Sequence, residues 1–100
     1  MCSSCDSDRR AITSNLQKIR NNSARIKDLR EDKKRRAESL TKSIKSAKSP
    51  SSKASFRNAK TRSNLSFDQR IESIRRDSEK LRKSNASRRA SIKSRGKHKR

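Results

Sequence analysis

The sequence predicts an all-α protein of two long, extended basic amphipathic helices joined near Ser49-Pro50, and three observations predict it. Ala11, Ile12, Leu16, Ile19, Ile26, Leu29, Ala37, Leu40, Ile44 and Ala47 share one arc of about 140° on an ideal helix, with Ala24 outside it. Neither Gly nor Pro occurs before Pro50, so nothing interrupts that periodicity. Leu, Ile and Phe number 14 and Val is missing, too few for a globular core at a net charge of +21. The chain is therefore expected to be marginally stable as a monomer, gaining order against another copy or against a polyanion that relieves its charge repulsion.

Residues 1–7 are expected to form a flexible end that carries Cys2 and Cys5. The first helix is expected over residues 8–48: Asp6, Ser7 and Asp8 put acceptors and negative charge at its start, and Lys42, Lys45 and Lys48 crowd its last turns. Glu31 with Arg35, Asp32 with Arg36 and Glu38 with Lys42 add acid-before-base pairs at i,i+4. Asn15, Asn22, Lys33 and Lys48 also point into the apolar arc. Asn15 and Asn22 stand seven apart, the spacing of coiled-coil core positions that set register. The eight-residue step from Leu29 to Ala37 breaks a strict heptad and favours reading both as polar residues tolerated on an imperfect helix.

Ser49 can cap a new helix with Pro50 at its first position. Residues 49–65 nevertheless read as a Ser-rich linker or frayed helix, because Ser51, Ser52, Ser55, Asn58, Thr61, Ser63 and Asn64 offer the backbone competing hydrogen bonds. Order is expected to resume at Ser66, which makes a capping box with Gln69. The second helix, residues 66–84, carries Phe67, Ile71, Ile74 and Leu81 on one face of about 80°, with Phe56 and Ile92 in line. Glu72 with Arg76 and Glu79 with Lys83 repeat the i,i+4 pattern. From Lys80 to Arg100 the chain is basic without an acid, so residues 85–100 are expected to form a disordered tail.

Thirty-one Lys and Arg against ten Asp and Glu point to a polyanionic partner, nucleic acid before anionic membrane. No apolar run approaches the ~20 residues of a membrane span, and the N-terminus has no secretory character, so a soluble intracellular chain is expected. Lys33–Arg36 (KKRR) and Lys97–Arg100 (KHKR) have the form of nuclear import signals, which favours the nucleus over the cytoplasm. Catalysis and a cofactor are not expected: the one His is His98, and the one Gly, Gly96, rules out a Gly-rich phosphate loop.

Residues suited to phosphate contact are Arg25, Lys27, Arg30, Lys33, Lys34, Arg35 and Arg36 in the first helix, Arg75, Arg76, Lys80, Arg82 and Lys83 in the second, and Arg88 and Arg89 beyond it. Arginine contributes 17 of the basic residues and matches phosphate oxygens bidentately. Single-strand recognition needs aromatic platforms, whereas Phe56 and Phe67 lie near an apolar face. A duplex, RNA or DNA, gripped through its backbone with little base discrimination is therefore favoured. Self-association is expected through the Ile12, Leu16, Ile19, Ile26, Leu29, Leu40, Ile44 stripe.

Cys2 and Cys5 supply two of four zinc ligands with no second pair; S-acylation beside a polybasic helix is another use, and reduced thiols are the simplest reading. Arg88-Arg89-Ala90-Ser91 and Arg75-Arg76-Asp77-Ser78 have the form of basophilic kinase sites, and Ser49-Pro50 of a proline-directed one. A phosphate at Ser49, Ser78 or Ser91 would add about −1.5 to −2 charge to a cationic surface. The alternatives are a chromatin-compacting protein, which acids set in helical pairs argue against, a coiled-coil interaction module, and an S-acylated membrane-surface protein.

The order KKRR (Lys33–Arg36), KSPS (Lys48–Ser51) and RSNL (Arg62–Leu65) resembles the small silencing suppressors of cucumoviruses over residues 33–65. That resemblance implies long basic helices that bind short RNA duplexes as oligomers. The chain departs from the pattern in its paired N-terminal cysteines, its longer gap between KSPS and RSNL, and its lack of an acidic C-terminal region.

Overall fold

Ser49 starts the second helix. Its hydroxyl accepts the Ser52 N–H at 3.1 Å, and Pro50 takes the first helical position, where an amide proton has no partner to lose. The computed structural model describes residues 3–98, with side chains described for 5–95. It consists of α1 (Ser3–Ser46) and α2 (Pro50–His98), with no strand among the described residues. The all-α class and the junction at Ser49-Pro50 are as the sequence predicts.

The element boundaries differ. Helix α1 begins at Ser3, so residues 3–7 are helical, and α2 is unbroken from Pro50 through the segment expected to be a linker or frayed helix (49–65) and into the expected tail (85–100) as far as His98. The reason lies in the facing residues, which continue at helical spacing through both segments. Lys53, Phe56, Lys60, Ser63 and Asn64 are half-buried in the first, and Asn85, Arg88, Ser91 and Ile92 are buried or half-buried in the second. Ser51, Ser52, Ser55, Asn58 and Thr61 face solvent, and the Thr61 hydroxyl donates back to the Arg57 carbonyl at 3.1 Å without breaking the helix. Ser66 caps nothing, being exposed in mid-helix.

The chain divides into two units, residues 24–74 and residues 1–23 with 75–100. In the 24–74 unit the helices run antiparallel, with Lys33 opposite Asp68 and Thr41 opposite Lys60. Its core is apolar: Leu40, Ile71 and Ile74 are buried, and Ile26, Leu29, Ile44, Phe56 and Phe67 are half-buried. The facing residues follow three-four spacing except for one four-four step on each side, Leu29–Lys33–Ala37 and Ser63–Phe67–Ile71. The eight-residue drift from Leu29 to Ala37 is thus a local stutter, matched on the opposite helix, that keeps both stripes facing.

The other unit has a polar seam. On α1 it is lined by Cys5, Asp8, Ile12, Asn15, Ile19 and Asn22, and on α2 by Ser78, Leu81, Asn85, Arg88 and Ile92, at unbroken three-four spacing. Asn15 Nδ2 donates to Asn85 Oδ1, and Asn22 Nδ2 to Asp77 Oδ2 and Ser78 Oγ, each at 3.0 Å. The asparagines are therefore partnered seam residues, not merely tolerated ones.

The stripe expected to drive self-association has α2 of the same chain opposite it. Leu40 is buried, Ile12, Ile19, Ile26, Leu29 and Ile44 are half-buried, and Leu16 stays 37% exposed. Cys5 is buried and disulfide-bonded, not a free thiol, so its sulfur offers neither a thiolate to zinc nor a nucleophile for acylation. Cys2 lies outside the described residues. No described helix is long and apolar enough to cross a membrane.

Candidate nucleic-acid interface

Burial of one stripe on each helix turns the remaining face to water, and that face is cationic because the sequence places Lys and Arg at the off-seam positions. The 24–74 unit holds fifteen Lys and Arg against six Asp and Glu, a formal +9, and the other unit sixteen against four, a formal +12.

Among the expected contact residues of the 24–74 unit, Arg25, Lys27, Arg30, Lys34 and Arg36 are exposed and hold no ion pair among the described residues. Lys33 is different: it is half-buried, and its Nζ donates to Asp68 Oδ1 at 2.6 Å. Arg35 is exposed between Glu31 at 3.9 Å and Asp32 at 4.0 Å, so Asp32 pairs with Arg35 and not with Arg36.

In the other unit Arg75, Lys80, Arg82 and Arg89 are exposed. Arg76 is exposed and engaged, and Lys83 sits 3.9 Å from Glu79. Arg88 is turned inward: its Nη1 donates to Asp8 Oδ1 at 2.9 Å, while Arg95 Nη1 donates to Asp8 Oδ2 at 3.0 Å.

One basic cluster extends from Lys34 to residues not named from sequence. A groove of about 420 Å³ in the 24–74 unit is lined by Lys34, Glu38, Thr41, Lys42, Lys45 and Lys60, and Lys60 Nζ donates to Thr41 Oγ1 at 3.1 Å. Lys42 and Lys45 read in the sequence as helix-end charges and Lys60 as part of a frayed linker. Their signal is the turn at 47–49, which folds Lys60 back beside Thr41. With four ammonium groups against one carboxylate, the groove favours an anion.

Phe56 and Phe67 are both half-buried, and Arg70 stands 6.0 Å from the Phe67 ring centroid, so neither ring is an open stacking platform. Of the expected phosphorylation sites Ser49 is exposed, Ser91 half-buried and Ser78 buried on Asn22. Side chains of the KHKR run lie outside the described residues. Among the described residues no three His, Cys, Asp or Glu gather as a metal site.

No protein-family model, curated protein or solved structure matches the chain. The resemblance to cucumoviral suppressors therefore rests on its three short motifs alone.

Proposed function

We propose that this protein is a non-catalytic, largely sequence-nonspecific nucleic-acid-binding protein that grips duplex phosphates through helix-borne Arg and Lys. One observation carries the reading: most of the few acids are engaged within the chain, which leaves a large surplus of cations without an acid among the described residues. Asp6, Asp8, Glu31, Asp32, Asp68 and Glu79 hold ion pairs within the chain, whereas Arg25, Lys27, Arg30, Lys34, Arg36, Arg75, Lys80, Arg82 and Arg89 point to water unpaired. Cations spaced along a rigid helix suit a backbone that repeats its charge, and each phosphate they neutralise releases counterions. The sequence resembles no helix-turn-helix, zinc finger or aromatic sheet motif, so affinity should follow charge and shape. A duplex is favoured over a single strand because both phenylalanines are engaged in packing. Binding to RNA in the manner of viral silencing suppressors is the narrower version, and nuclear residence follows if KKRR acts as an import signal.

The test is competition among duplex RNA, duplex DNA and single strands over a salt series. Duplexes should win. Affinity should fall by several decades between about 50 and 200 mM salt if six to ten phosphates are neutralised. Binding that ignores ionic strength, or no binding in nearly salt-free buffer, refutes the proposal. A second reading, an interaction module built on a coiled-coil seam, is favoured by the hydrogen-bonded asparagines. A salt-stable dimer indifferent to nucleic acid would support it.

A further inference from the structure

We propose that Arg88 and Arg95 form a phosphate seat that the protein itself occupies with Asp8, so that the N-terminal turns of α1 act as a competitor for the nucleic-acid backbone. This inference rests on the nucleic-acid reading above. The two arginines are seven residues apart, two turns along one face of α2, and each gives one N–H to a different oxygen of the same carboxylate. A carboxylate and a phosphodiester both present two acceptor oxygens to a guanidinium, so the site that holds one fits the other.

Three features mark the seat as more than a structural ion pair. The donors exceed what Asp8 uses: each arginine spends a single nitrogen on it, and Arg88 Nε is buried with no hydrogen-bond partner. A buried N–H left unmade carries a standing cost that a ligand with further oxygens can remove. The arginines form the outer part of the cluster, since the Asp8 side chain is 14% exposed while Arg88 and Arg95 are 39% and 46% exposed. An anion arriving from solvent therefore meets the arginines before it meets the carboxylate. Finally, two cations share one anion, so the cluster keeps a net positive charge when Asp8 is in place.

Occupancy by Asp8 withholds two cations from phosphate, and removing its carboxylate returns them. The salt dependence of binding measures this directly, because each phosphate neutralised contributes about 0.9 to the log–log slope. Binding of a fluorescent RNA duplex and of the same duplex as DNA is measured over a salt series for the full chain and its variants. Asp8→Asn should steepen the slope by up to about 1.8 and cost roughly tenfold more affinity than the original protein loses between about 50 and 200 mM salt. Asp6→Asn makes the same charge change two residues away and frees only Arg9, already in solvent. It should shift the slope by no more than half as much.

Asp8→Glu, which keeps the carboxylate, should follow the original line. Replacing Arg88 and Arg95 by Gln in the Asp8→Asn background should abolish the gain. Far-UV circular dichroism tracks each variant, and Asp8→Ala, with the better helix former, stands in if the Asn variant loses helix. A slope for the neutral Asp8 variants no steeper than that of Asp6→Asn overturns the seat while leaving nucleic-acid binding intact. Failure of every variant and of the original chain to bind either duplex overturns both.

Discussion

Asn15 donates its side-chain amide to the amide oxygen of Asn85 at 3.0 Å, and Asn85, at 1% exposure, is the most deeply buried side chain described. A buried amide pair adds little net stability, yet it penalises any register that separates the partners, since each would be left dry and unpaired. Asn85→Ala strands the Asn15 amide and should cost about 1–3 kcal/mol in chemical denaturation. Replacing both by Leu should do the opposite: the melting temperature rises while register and partner choice relax. Sedimentation should then show a larger fraction of dimer than the original protein has.

The apolar stripe of α1, which runs through both units, should respond to truncation according to burial. Leu40 is 5% exposed and Leu16 is 37% exposed on the same helix. Leu40→Ala should destabilise by about 2–5 kcal/mol, and Leu16→Ala by well under half of that. Equal losses in urea titrations would mean that burial does not set the energetics of the stripe.

The same contrast explains what the sequence made legible. Periodicity revealed the helices and the apolar stripe because Leu and Ile mark a seam by themselves. It placed Asn15 and Asn22 on the facing side but not their partners, which stand 70 and 56 residues away: Asn85 lies in a Ser- and Arg-rich stretch, and Ser78 is a polar position unmarked within the Phe67–Leu81 face. Residues 85–98 looked like a tail for the same reason: a seam built of Asn, Arg and Ser leaves no hydropathy signature. Asp8 read as a helix-start acid, and only folding brought it to Arg88 and Arg95. The basic faces were legible because charge needs no partner to be seen; which cations fold inward was not.

The turn offers a cleaner measurement. Ser49 accepts the Ser52 N–H at 3.1 Å and is exposed, so Ser49→Ala removes a cap together with the exposed hydroxyl bond to Ser52 Oγ at 2.9 Å. The expected cost is about 1 kcal/mol, with Gly at that position losing only a few tenths. Thermal melts of the two variants should rank in that order.

Burial also ranks the phosphorylation sites. Ser91 is half-buried near the end of α2, whereas Ser78 is 5% exposed and accepts a hydrogen bond from Asn22. A basophilic kinase acting on the native chain should modify Ser91 well before Ser78, because reaching Ser78 requires opening the seam. Mass spectrometry over a time course reads the order. Under urea the two rates should converge, and equal rates in native buffer would contradict the seam.

Lys33 and Arg36 belong to one basic run yet should behave differently toward nucleic acid. The Lys33 ammonium lies 2.6 Å from Asp68 and its side chain is 33% exposed, so it reaches a phosphate only by leaving that carboxylate. Arg36 is exposed and meets no acid. Arg36→Gln should lower the log–log salt slope for duplex binding by about 0.9 and leave the melting temperature unchanged. Lys33→Gln should barely move the slope and should cost at most about 1 kcal/mol of stability, as expected for a partly exposed pair. Fluorescence anisotropy across a salt series separates the two. Identical slope changes would show that the Lys33–Asp68 contact dissolves at no cost on binding, and that net charge alone, not the arrangement of ion pairs, governs the grip.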